Sequence, residues 1–209
     1  MASFEFPWHS LISYPSGLQL QNHYRQEVEG GHPGYVMGCE HFSVVTLGKR
    51  GNIADDLMVA QETLLAEHVG VFTVERGGQA TLHNPGQLVI YPILPLKKLG
   101  LGVRDYLSLL EEVSLVTLGE FAVEVHRRSV EPGLYAKNGK MVFFGIRIAR
   151  GISQHGVAMN VANNLDNFSW IRSCGVTEEK FDRVQNYHPQ VSTAQVFECW
   201  SRNFAKLFH

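Results

Sequence analysis

Along the chain, apolar positions fall into alternating strand-like and helix-like stretches. From Arg104 to Phe121, apolar residues recur at three- and four-residue steps: Leu107, Leu110, Leu118 and Phe121, with Ser114 in the same stripe. This spacing predicts a helix with one buried face. Ser192 to Phe208 repeats the pattern through Val196, Trp200, Phe204 and Phe208, and predicts a closing helix. Leu18 to Glu29 reads as a polar helix ended by Gly30-Gly31 and Pro33, and Asp55 to His68 as a helix on the spacing of Leu57, Ala60, Leu64 and Leu65. Strands are predicted at Phe42–Leu47, Val71–Glu75, Gln87–Ile93, Phe121–His126 and Gln154–Val161. Gly133–Ala136, Asn138-Gly139 and Lys140–Ile148 carry a hairpin signal, because Asn-Gly suits a type I′ turn. Residues 1–15, aromatic and broken by proline, read as an extended lead-in. Strands outnumber helices in the middle, and hairpins alternate with helices. The expected class is therefore α+β or mixed α/β around a partly antiparallel sheet.

Length and composition narrow this picture. The chain has 209 residues, which predicts one domain over 1–209. With 44% hydrophobic and 18% charged residues it has material for a sizeable core. A net charge of −2 leaves no electrostatic footprint for nucleic acid. His126-Arg127-Arg128 is a local basic spot, either a solvated face or a contact for an acidic carrier protein. No apolar run approaches the roughly 20 residues that span a bilayer, and the N-terminus lacks a secretion signal, so no membrane partner and a cytoplasmic setting are expected. Three widely spaced cysteines, Cys39, Cys174 and Cys199, fit a reducing compartment better than a disulfide framework.

Arg76 to Pro92 concentrates the candidate chemistry. Gly77, Gly78 and Gly86 permit positive φ or close approach to a ligand, and Arg76, Thr81 and His83 place donors beside that backbone. An apolar, β-prone run, Gln87 to Ile93, follows. Such a loop between strands is either an ordinary tight turn or a ligand cradle.

The run Arg76-Gly77-Gly78-Gln79-Ala80-Thr81-Leu82-His83-Asn84-Pro85-Gly86-Gln87-Leu88-Val89-Ile90-Tyr91-Pro92 resembles the RGG-x-x-T-x-H-x-PGQ-L-x-x-Y-P signature of the lipoyl(octanoyl) transferases. Lys140 to Ile148 followed by His155-Gly156-Val157-Ala158-Met159-Asn160 is similar to that family's Lys…Gly…HG-x-x-x-N stretch. Phe168 to Gly175 is similar to its F-x-x-I-x-x-CG segment, and Val45 to Gly51 fits upstream. The likeness runs over roughly residues 40 to 176 with order and spacing kept, far more specific than one glycine motif. Two positions depart: Asn84 stands where the family usually has Gly, and Arg172-Ser173 where it often has Asn-Pro.

The resemblance implies a catalytic domain of the biotin/lipoate protein ligase type, a mixed sheet flanked by helices. It implies an acyltransferase that needs no cofactor and no metal. Cys174 would attack the thioester of octanoyl-acyl carrier protein and become an acyl-enzyme. The ε-amine of a lipoyl-domain lysine would then take the acyl group, on 2-oxoacid dehydrogenase complexes and the glycine cleavage H protein. Lys140 would lower the thiol pKa and move protons as base and then acid, desolvated by Met141-Val142-Phe143-Phe144. Lys137, across the turn, would be a plain surface lysine. The family's substrate-contact stretches map onto Arg76, Gly77, Gly78, Gln79, Ala80, Thr81, Leu82 and His83, onto Phe143, Phe144 and Gly145, and onto Gly156, Val157 and Ala158. Phe143, Val157, Leu82 and Ala158 would line an acyl slot. Backbone N–H groups near Gly77-Gly78 and Cys174-Gly175 would hold the oxyanion.

Without the resemblance, the residues leave other readings open. Cysteines often fill cores, and Cys199 beside Trp200 on the last helix reads that way. His83 or His155 is a rival base for Cys174. A zinc site from these three lacks ligand spacing, and Gly100-Leu101-Gly102 lacks the third glycine of a dinucleotide loop. Two other functions remain: an ATP-dependent lipoate-protein ligase on the same fold, and an inactive module that binds carrier or lipoyl domains.

Overall fold

The computed structural model describes residues 4–128, 132–172 and 179–208. The elements run β1 (Trp8–Ile12), α1 (Tyr14–Glu29), β2 (Tyr35–His41), β3 (Val44–Leu47), α2 (Ile53–Asp56), α3 (Gln61–Ala66), β4 (Gly70–Thr73), β5 (Ala80–His83), β6 (Gln87–Ile93) and α4 (Val103–Glu120). Then come β7 (His126–Arg127), β8 (Leu134–Ala136), β9 (Gly139–Ala149), β10 (Ile152–Asn160) and α5 (Thr193–Lys206), with short 3-10 turns at Asp166–Trp170 and Val184–Asn186.

Seven strands form one mixed sheet in the order β1-β2-β6-β10-β9-β8-β7, and β4-β3-β5 form a second. In the large sheet only β1–β2 is parallel; the pairs from β2 to β7 are antiparallel. Successive residues of its inner strands feed two cores. Val36, Ile90 and Val157 pack with Tyr106 and Leu110 of α4 and Trp200 and Phe204 of α5. Met37, Val89 and Ala158 pack on the other face with Val28 of α1 and Val45 and Leu82 of the small sheet. Burying both faces removes the polar half of the usual alternation. That is why β2, buried almost throughout, carries no period-two signal and was not foreseen.

Several expectations need correction. The lead-in contains a true strand, β1, and α1 starts four residues before Leu18. Ser13 caps it, accepting from the Ser16 N–H, and Pro15 sits in its first turn. The helix expected over Asp55–His68 is two short ones, α2 and α3, because Leu57 turns to extended backbone and bridges to Ile171. Of Phe121–His126 only His126 is strand, the first residue of β7; before it the chain leaves α4 through Phe121, its C-cap, and Ala122 at φ +54°. The β8–β9 turn is Lys137-Asn138 rather than Asn138-Gly139, since Ala136 pairs with Gly139. Neither turn residue has positive φ, so it is not type I′. Gly139 is needed for another reason: a Cβ there would collide with the Lys180 backbone.

Candidate active site

The Arg76 loop closes against both sheets. Only Arg76 to Gln79 are loop; Ala80 to His83 form β5, paired with β3. The Arg76 guanidinium is the loop's brace. Its Nε and Nη2 donate to Thr46 Oγ1 at 3.2 and 2.8 Å, Nη2 also to Thr46 O at 2.7 Å, and Nη1 to Gly77 O at 2.9 Å. Gly77 N donates to Ile146 O at 3.0 Å, which ties the loop to β9. That N–H is therefore engaged, and Gly77 is not a ready oxyanion donor.

Between this loop, β9 and β10 lies a cavity with an empty volume of about 580 Å³, counting its solvent-open part. It brings together Arg76, Gly77, Gly78, Gln79, Ala80, Thr81 and His83 with Lys140, Phe143, Phe144, Gly145, Gly156, Val157 and Ala158. Leu82 is the exception. Strand alternation turns it away into the core beneath, so it does not line the slot. The register explains the meeting of β9 and β10: Gly156 lies opposite Gly145, Val157 opposite Phe144, and Ala158 opposite Phe143. A methyl on Gly156 would sit 2.5 Å from Ile90 O, so β6 and β10 approach closely only because Gly156 is bare. The residue before it, His155, holds a left-handed φ of +55°. Gln21 Oε1 of α1 accepts its N–H at 2.8 Å.

The sequence reading missed Tyr14, Val89, Tyr91 and Pro132, which also line the cavity. Tyr91 was legible as the Tyr of the Tyr-Pro pair. Tyr14 comes from the first helix, far from the motifs, and stacks on His83 with ring centroids 6.2 Å apart. Burial raises its hydroxyl pKa to about 12.

The histidines behind the cavity are kept neutral. Burial, then the neighbouring His41, lowers His83 to about 3; burial, then Arg76 and Arg147, lowers His155 to about 3. Burial lowers His41 to about 4. Gln87 Nε2 donates to Asn160 Oδ1 at 3.0 Å, so its Oε1 faces His83 Nδ1 at 2.6 Å as acceptor and Nδ1 carries the proton. Asn84 fits the same polar floor. Its Nδ2 donates to Asn164 O at 2.8 Å and its Oδ1 accepts from Asn163 Nδ2 at 3.0 Å. Asn84 keeps negative φ, so the departure from Gly adds hydrogen bonds without asking for glycine's freedom.

Lys140 lines the same cavity. It is fully buried, with Nζ 3.6 Å from Glu179 Oε2, while Lys137 is exposed as expected. Cys174, together with Ser173 and Gly175, lies outside the described residues. The chain on either side is held near the cavity: Arg172 N donates to Asp56 O, and Phe168 and Phe181 stack at 4.3 Å beside Phe143. Of the basic spot, Arg127 is taken up by Glu111 and Glu112 of α4, and Arg128 stacks on Tyr135. Cys199 is buried on α5 as expected. Among the described residues no cluster of three or more His, Cys, Asp or Glu is arranged to hold a metal ion. No helix among them is long and apolar enough to cross a membrane.

The Lipoyl protein ligase A/B catalytic domain model matches residues 13–205. An octanoyltransferase of Dichelobacter nodosus is 33% identical over 193 residues, 92% of this chain and 93% of that protein. The chain belongs to the octanoyltransferase family, within the lipoyl protein ligase A/B catalytic domains. The octanoyltransferase-family fold is shared more widely. A lipoate-protein ligase A bound with ATP superposes with a TM-score of 0.84 at 14% identity, covering 99% of this chain and 86% of that one. A biotin protein ligase from Leishmania major in complex with biotinyl-5-AMP gives 0.58 at 10% identity, covering 98% and 74%. The fold is thus the biotin/lipoate ligase type.

Proposed function

We propose that this octanoyltransferase-family enzyme moves an octanoyl (or lipoyl) group from acyl carrier protein to the lysine of a lipoyl domain, through a thioester on Cys174. Residues 1–209 act in it as one catalytic domain, in a cytoplasmic setting that keeps its thiols reduced. The observation that carries this reading is the buried Lys140 ammonium in the wall of a largely apolar cavity. The apolar walls, Phe143, Phe144, Val157 and Ala158, suit an acyl chain. The ammonium suits a sulfur that must become thiolate.

In the first step the Cys174 thiolate adds to the donor thioester carbonyl. The carrier C–S bond breaks, and the departing sulfur takes a proton from Lys140. In the second, the acceptor amine adds to the acyl-enzyme, the C–N bond forms, the Cys174 C–S bond breaks, and the proton lost by nitrogen reaches that sulfur through Lys140. The donor is already a thioester, so the exchange needs no ATP. Acceptors are lipoyl domains of 2-oxoacid dehydrogenase complexes and the glycine cleavage H protein. His83 and His155, held neutral with pKa values of about 3, are poor bases, which favours Lys140 over them as the proton carrier.

Intact-protein mass spectrometry after mixing with octanoyl-acyl carrier protein, without ATP, tests the reading. One octanoyl adduct is expected, discharged by an apo lipoyl domain and missing in Cys174→Ala. A folded protein with no adduct and no transfer overturns it. Transfer only from free acid and ATP points to a ligase, and binding without transfer to a docking module.

A further inference from the structure

Lys140 does not stand in its pocket as a lone cation. An ammonium taken from water costs several kcal/mol unless a partner and hydrogen bonds replace the solvent. Here the Lys140 side chain is 0% exposed and that of Glu179, 3.6 Å away, is 5% exposed. Tyr135, paired with Lys140 across β8 and β9, donates its hydroxyl to Glu179 Oε1 at 3.0 Å, so the carboxylate is aimed by a second group. The Tyr135 and Phe143 rings lie 5.4 and 5.3 Å from Nζ and add aromatic faces to its surroundings. The main chain fixes the same geometry. Lys140 N donates to Lys180 O at 2.8 Å, and Asp182 N donates to Lys140 O at 3.0 Å. The segment that carries Glu179 is therefore docked on the residue that Glu179 serves.

We propose that Glu179, oriented by Tyr135, is a positioning residue that favours the ammonium form of Lys140 and holds its Nζ at the acyl cavity in both half-reactions. This rests on the reading of Lys140 as the proton carrier. The need for it arises on acylation. When a thiolate becomes a neutral thioester, Lys140 loses that counter-charge, and Glu179 supplies one that chemistry does not consume. The proton that Lys140 gave to the carrier sulfur is replaced by the one the acceptor nitrogen loses, and Glu179 lets Lys140 hold it until the departing Cys174 sulfur takes it.

Among the described residues, the charged and titratable groups near Lys140 have other partners. Arg128 stacks on the Tyr135 ring at 3.8 Å, and the Asp182 carboxylate accepts from Tyr187, Asn186 and Asn138 N. Across the cavity, Arg76 is bonded to Thr46, and His83 and His155 stay neutral.

Single-turnover transfer measured against pH in the full-length protein tests the proposal. In Glu179→Gln the alkaline limb of the profile should move down by about one pH unit or more, because the ammonium loses its anion. The rate at the parent's alkaline midpoint should fall about fivefold or more, with the donor KM within about twofold of the parent. Glu179→Asp should return the limb toward the parent. Tyr135→Phe, which keeps the ring, should shift it the same way by less, and tests the idea should the Gln variant fail to fold. A folded Glu179→Gln or Tyr135→Phe with the parent profile, or an equal loss at every pH, overturns the proposal. Lys140→Ala, run in parallel, separates the two readings. If it transfers at the parent rate, the assignment of Lys140 fails. If it loses transfer while the Glu179→Gln profile matches the parent, only this inference fails.

Discussion

At the residue scale, Arg76 lines the cavity and also braces it from within the protein. Its guanidinium spans β3 and the loop through Thr46, so the motif's arginine sets the shape of the cavity wall. Thr46→Val keeps size but removes the hydroxyl that accepts from both Nε and Nη2. Unfolding in denaturant should show a loss of about 1–3 kcal/mol, the cost of a buried donor left unmatched. Transfer should slow along with it. An unchanged midpoint would mean that the loop does not depend on this brace. The arginine was visible in the sequence, but its task was not, because Thr46 lies 30 positions away in a strand whose neighbours only the fold reveals. The same holds for Glu179. It belongs to none of the motifs, and only the docking of its segment on Lys140 gives it a meaning.

At the scale of elements, β10 closes tightly on β6 at Gly156. A methyl at Gly156 would lie 2.5 Å from Ile90 O and 2.6 Å from Pro92 Cδ, with no flexible group to yield at the carbonyl. Gly156→Ala should therefore cost about 1–3 kcal/mol through overpacking. Hydrogen exchange should show faster opening of β6 and β10, while α4 and α5 keep their protection. Equal exchange in those strands would show that the sheet absorbs the methyl. Elements with a clean period were legible: β6 is found over the expected residues, and α4 and α5 within a residue or two at most ends. The failures share causes. β2 is buried on both faces and has no alternation. Asp55–His68 has helical spacing, but Leu57 is claimed by Ile171 from elsewhere in the chain, and a tertiary pairing ends the first helix.

At the scale of the whole molecule, the neutral histidines make the fold sensitive to acid. His41 titrates near 4 and His83 and His155 near 3 when folded, all below the value of about 6.5 expected once unfolded. The unfolded chain therefore binds protons that the folded one refuses. Stability is full above the unfolded value and is lost as pH falls through it toward the folded values. Between pH 7 and 5 the loss should be about 2 kcal/mol per histidine. Thermal melts over that range would check the sum, and His41→Asn should reduce the slope. A melting temperature flat from pH 7 to 5 would contradict the buried neutral assignment. Global class and the location of the site were readable because motifs and periodic segments are local. The two-core sandwich that buries these histidines was not, since it depends on which sheet face each helix covers.

The strand order holds a further consequence, for synthesis. β10, the last strand in the sequence, is the central strand of seven, with β1, β2 and β6 on one side and β9, β8 and β7 on the other. A chain emerging from the ribosome therefore displays β6 with an open, apolar edge until Ile152–Asn160 appears. Both halves of the sheet wait for that one insertion, and the cavity, whose wall includes His155 to Ala158, comes into being with it. Nascent chains stopped before residue 150 carry most of the strands and none of the closure, which makes them the aggregation-prone intermediates of this protein's biogenesis.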